Sequence, residues 1–78
     1  MSGASRRLDL RGLKCPLPAL MTRKTLATLA AGARLEVLAD DPLAGLDLPN
    51  AVREAGGAVL ELTRDGAVVR VVATAGPD

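Results

Sequence analysis

The 78-residue sequence contains no histidine, no phenylalanine, tyrosine or tryptophan, and one cysteine, Cys15. Without histidine, and with one sulfur, zinc and other centres built on nitrogen or several thiolates cannot be assembled within one chain. No metal residue is therefore assigned. A Cys-His nucleophilic pair is excluded on the same ground. The absence of aromatic rings removes the platforms on which bases stack, which argues against a flavin or nucleobase pocket. One cysteine cannot close an intrachain disulfide, and a lone free thiol suits a reducing compartment, so the cytoplasm is the expected location. The opening Met-Ser-Gly-Ala-Ser-Arg-Arg has no apolar run of the kind a signal peptide needs, and no later stretch could span a bilayer. No membrane partner is expected.

What remains is one domain over residues 1–78, with a core of leucine, valine and alanine. A core of this size contributes only ~3–5 kcal/mol. Net charge is +1, but it is unevenly placed: residues 1–24 hold six basic side chains and one acid, and the rest holds four basic side chains and eight acids. Two readings follow. One is a solvated strand end and helix face. The other is a positive field around Cys15, suited to an acidic partner or an anionic sulfur. A nucleic-acid binder would carry a more basic total, so direct nucleic-acid binding is not expected.

The most informative stretch is Lys14-Cys15-Pro16-Leu17-Pro18. Proline is tolerated in a first helical turn, where the amide it lacks has no intrahelical partner. With Pro16 at the first helical position, Cys15 becomes the N-cap. A sulfur there faces unpaired amides and the positive end of the helix dipole. Arg11 and Lys14 add positive charge nearby. The thiolate is therefore expected to form more readily than at a free cysteine, whose pKa is ~8.5.

Along the chain, Leu8-Asp9-Leu10 alternates as a short strand with Arg7 and Asp9 outward, and Arg11-Gly12 breaks it. Helix one is expected over about Pro16–Ala30. Ala19, Thr22, Leu26 and Leu29 form its buried stripe, and Leu17, Met21 and Lys24 fall on the other side with Leu20 at the edge. That apolar patch either packs under a loop or docks a partner. Ala31-Gly32 ends the helix. Leu35–Ala39 reads as a central strand buried on both sides or nearly so, parallel to the first.

Asp40-Asp41-Pro42 offers two adjacent carboxylates. They suit a hard metal, but helix capping is the reading preferred. Helix two is expected over about Leu43–Ala55, with Ala44, Leu48, Val52 and Ala55 inward. Pro49 either kinks it or restarts it with Asp47 as a second cap. Residues 58–63 and 67–73 are β-rich and flank Arg64-Asp65-Gly66, a hairpin signal. The order is βαβαββ, an α/β two-layer sandwich with a mixed four-stranded sheet and two helices on one face. The core spans about residues 8–73, with residues 1–6 and 75–78 expected to fray.

The run Leu8-Asp9-Leu10-Arg11-Gly12-Leu13-Lys14-Cys15-Pro16-Leu17-Pro18 resembles the N-terminal signature of the TusA/SirA-like sulfur-carrier family. Arg23-Lys24-Thr25, Ala39-Asp40-Asp41-Pro42 and Asp47-Leu48-Pro49 resemble later segments of it, so the likeness covers about residues 8–73. It implies a two-layer α/β sandwich whose cysteine carries a persulfide between proteins. Cys15 would bear the sulfur and Pro16 and Pro18 would be the motif prolines, with Arg11, Gly12, Lys14 and Asp40 as the supporting frame. No cofactor is implied beyond the covalent persulfide sulfur. Many relatives have a second cysteine just after the Asp-x-Pro of helix two; here that stretch is Asn50-Ala51-Val52.

The implied partners are a sulfur donor, such as a cysteine desulfurase or rhodanese-type protein, and a sulfur-acceptor protein. Leu17, Met21, Arg23 and Lys24 are the expected docking rim. Family members serve tRNA thiolation, molybdenum-cofactor assembly and sulfur oxidation, and no motif here selects one. Such a carrier is a sulfurtransferase by a broad definition, since it is itself modified and then discharged. Other classes remain in view: a structural cysteine, a small regulatory or nucleic-acid-binding module, and a thiol redox sensor.

Overall fold

The computed structural model describes residues 5–76. The elements are β1 (Ser5–Asp9), α1 (Leu17–Thr28), β2 (Arg34–Ala39), α2 (Ala44–Glu54), β3 (Ala58–Asp65) and β4 (Val68–Thr74). The sheet order is β1-β2-β4-β3. β1 and β2 are parallel and joined across α1, while β4 runs antiparallel to both β2 and β3. The mixed sheet and paired helices are those the sequence implies.

The core follows from alternation. Leu35, Val37 and Ala39 of β2 and Val69, Val71 and Ala73 of β4 point one way and are fully buried. They meet Leu26 of α1 and Ala44, Leu48 and Val52 of α2. In α1 the stripe is Pro18, Thr22 and Leu26, with Ala19 half-buried beside it and Leu29 half-buried at the C-cap. Thr22 is tolerated inside because its hydroxyl donates to the Pro18 carbonyl at 2.8 Å.

β2 is central, and the expected burial on both sides is met only in part: on the face away from the helices Leu38 is buried and Glu36 is not. The helices cover one face, and its residue Glu36 looks out from the other, paired with Arg70 and with Arg7. α2 runs unbroken through the buried Pro49, so Asp47 does not restart it. The hairpin turn lies further on than expected: Asp65 still pairs with Val68, leaving Gly66-Ala67 as a two-residue loop. Gly66 takes a φ of 63°, the positive value such tight loops need at their first position.

The chain ends differ from the expectation of fraying. Ser5 and Arg6 lie in β1, and Ala75 is buried, its amide donating to the Ala33 carbonyl at 2.8 Å. For residues 1–4 and 77–78 that expectation lies outside the described residues.

Candidate functional site

Cys15 lies on the loop between β1 and α1, its side chain exposed. The loop starts with a turn at Gly12, whose φ of 90° favours glycine. It is held by acids from the segment that leaves β2 and enters α2. Asp40 Oδ1 accepts from the Gly12 amide at 2.9 Å, and Asp41 Oδ1 accepts from the Cys15 amide at 3.1 Å. The other oxygen of Asp41 accepts from the Leu43 amide at 3.0 Å, which ties the same carboxylate to the entry of α2. One turn into α2, Asp47 Oδ2 accepts the Cys15 Sγ–H at 3.3 Å.

The sulfur is one residue further from the helix than the sequence predicts. Pro16 is the N-cap, and Cys15 precedes it through a cis peptide bond. The Leu17 amide donates to the Lys14 carbonyl at 2.9 Å and Pro18 has no amide. Of the first three helical amides, at most Ala19's is left to face an anion. The proline-rich entry that marks the helix start also strips it of donors.

The electrostatics differ as well. The Arg11 guanidinium does not address the sulfur but forks onto Asp9, with Nε–Oδ1 at 2.8 Å and Nη2–Oδ2 at 2.6 Å. That fork and the Arg11 amide lower Asp9 to about 2. The charges beside Cys15 are carboxylates. The hydrogen bond to Asp47 pushes the thiol pKa up, and partial loss of water and the charges of Asp47 and Asp41 act the same way. The expectation of a thiolate favoured by a positive field is corrected: the local field is negative, and it favours the thiol.

Asp40 and Asp41 cap backbone amides rather than serve one helix N-cap, which falls to Leu43 without a side-chain bond. Cys15, Asp41 and Asp47 each place one ligand atom within 4.8 Å of the others. That sulfur and those carboxylates are the donor set available to a metal, and all of them already hold hydrogen bonds.

Beyond the sulfur, α1 exposes Leu17, Leu20 and Met21, and Lys24 is exposed next to them. Arg23 is turned toward α2, its guanidinium 2.8 Å from Glu54. Lys14 is exposed on the loop. A second open feature, an apolar groove at Pro42, Leu43, Leu46, Leu62 and Arg64, lies where α2 starts beside β3.

Residue counting along the sequence did not find the two carboxylates in contact with Cys15. Asp47 is 32 positions away and Asp41 is 26. The signal that could have found them is their place in Ala39-Asp40-Asp41-Pro42 and Asp47-Leu48-Pro49, segments that carry the resemblance.

The family model described as sulfurtransferase TusA matches residues 6–74. The chain belongs to the TusA family. Among solved structures, a SirA-like protein from Desulfitobacterium hafniense is similar, with a TM-score of 0.77 and 30% identity over 91% of this chain and 97% of that one. The TusA match takes in all of every strand and helix but the first residue of β1, with Cys15, Asp41 and Asp47 inside it.

Proposed function

We propose that this protein is a sulfur carrier that accepts a sulfane sulfur as a persulfide on Cys15 and hands it to an acceptor protein. The observation that carries this reading is a lone, exposed thiol anchored at the head of α1 in a TusA-family fold. A carrier must be reached by two partners in turn, and an exposed sulfur on a loop allows that. It needs no deep pocket, because the donor supplies the activated sulfur.

In the step proposed, the Cys15 sulfur attacks the outer sulfur of a donor persulfide. The donor's S–S bond breaks, and its electron pair leaves on the inner sulfur. The Cys15 proton is released and the donor thiolate takes one up, so a thiol and a persulfide simply exchange places. The transferred sulfur stays at the sulfane level and no outside oxidant is consumed. Because the chain has no second cysteine, the loaded sulfur cannot be displaced into an internal disulfide.

The donor is a cysteine desulfurase or a rhodanese-type protein, and Leu17, Met21 and Lys24, with Arg23 behind them, form the rim it meets. No cofactor takes part. The cytoplasm, where free thiols persist, is the proposed location. No helix is long and apolar enough to cross a membrane among the described residues.

The test is intact mass after incubation with a cysteine desulfurase and free cysteine, on wild type and Cys15→Ser. The carrier reading expects one added sulfur on wild type only, removed again by a reducing thiol. Two added oxygens weigh nearly the same but resist that reduction, and would identify oxidation instead. No addition from either class of donor would overturn the reading.

A further inference from the structure

We propose that Asp47 is a positioning residue that biases Cys15 toward its discharged, protonated state. The inference rests on the carrier reading and adds to it a reason why the carrier lets go of its sulfur. Asp47 Oδ2 accepts a hydrogen that Cys15 Sγ has only as a thiol. Once a second sulfur is attached, Sγ carries no hydrogen and the bond is lost. The new terminal sulfur, when anionic, is bonded directly to an Sγ that has carboxylate oxygens of Asp47 and Asp41 within 4.8 Å, so its charge is held in their repulsive field. Both effects disfavour the loaded form relative to the empty one.

The groups around the sulfur are consistent with this bias. On its own loop are Lys14, exposed, and Arg11, which is engaged by Asp9. The segment after β2 contributes Asp40 and Asp41, and α2 contributes Asp47. The first turn of α1 contributes no charge. Among the described residues Asp9, Glu36, Glu54 and Glu61 each have an arginine partner; Asp40, Asp41 and Asp47 have none, and neither does Asp65, alone at the hairpin end of β3. Negative charge is therefore left standing where the sulfur is.

The test compares wild type with Asp47→Asn and Asp47→Ser, each checked for folding by circular dichroism. The first readout is the alkylation rate of the free thiol by iodoacetamide as a function of pH. The midpoint is expected to fall in both variants. For each unit it falls, thiolate rises about tenfold below the midpoint while its nucleophilicity declines, so the net rate near neutral pH rises about threefold. The second readout is the equilibrium of the loaded protein with a small thiol, which should shift several-fold toward retention of sulfur in the variants. A folded variant whose pH profile superimposes on wild type overturns the proposal. So does a lowered midpoint with no change in the persulfide equilibrium. A wild type that accepts sulfur from no donor overturns the carrier reading instead, and the alkylation profile still reports whether Asp47 governs the thiol.

Discussion

The acids on the bare face of the sheet and the acids around Cys15 are the same kind of side chain put to opposite use. Across the sheet, Arg7 of β1 meets Glu36 of β2 at 3.5 Å, Glu36 meets Arg70 of β4, and Arg70 meets Glu61 of β3 at 2.7 Å. Each carboxylate there is matched by a guanidinium, and Arg70 lowers the pKa of Glu36. At the other region Asp40 and Asp41 are matched by backbone amides, and Asp47 by a thiol. Amides satisfy hydrogen bonds but do not cancel charge. The sheet therefore joins its strands with a neutralised network, whereas the site fixes a loop and keeps a negative field beside its sulfur. Three carboxylates clustered without a cationic partner, two of them pushing up the titration of the thiol beside them, mark a candidate functional site.

The sharpest way to break this comparison is at Asp41, which holds the Cys15 loop and the α2 entry with one carboxylate. Asp41→Ala removes both acceptors and is expected to cost about 1–2 kcal/mol in urea unfolding, the scale of a lost cap. Amide exchange at Cys15 should quicken along with it. Next comes Arg70→Ala, which leaves Glu36 and Glu61 facing each other across β4. Its side chain is 40% exposed, so the expected loss is well below that at Asp41 and shrinks as salt is added. The Asp41 effect should be nearly indifferent to salt, since it rests on short-range bonds to amides. Equal salt dependence of the two variants would remove the distinction between the regions.

The fold was legible because its signals are local. The near-continuous apolar run Leu35–Ala39, the β-rich runs 58–63 and 67–73 around Asp65-Gly66, and the three-and-four spacing around Leu26 each specify an element without knowledge of the rest. Burial of the 0%-exposed Leu48 and Val52 followed from the same spacing. At the site only the cysteine could be read this way. Its field could not, because Asp41 and Asp47 reach it from more than 25 positions away, through a tertiary contact that no spacing rule encodes. Sequence proximity misled in the other direction: Arg11, four positions from Cys15, is satisfied two positions back at Asp9. The proline signal was correct about where the helix starts and silent about the amides it removes.

That short Asp9–Arg11 fork gives the smallest effect, and it bears directly on why the site stays negative. Asp9 titrates at about 2, below its ordinary value of 3.8, chiefly through the Arg11 side-chain bonds and then the Arg11 amide. A carboxyl lowered in the folded state adds stability above its unfolded pKa, and that contribution disappears as pH falls toward 2. Unfolding at pH 7 should therefore barely change in Arg11→Ala, since the pair is half-exposed on both sides. The informative measurement is the carboxyl titration of Asp9 by NMR. It should move from about 2 in wild type back toward the ordinary carboxylate range of ~3.9 in the variant. An Asp9 that already titrates there in wild type would mean that Arg11 is not held. In that case its cation is free to swing toward Cys15 and offset Asp47, and the contrast between a matched sheet and an unmatched site would lose its clearest boundary.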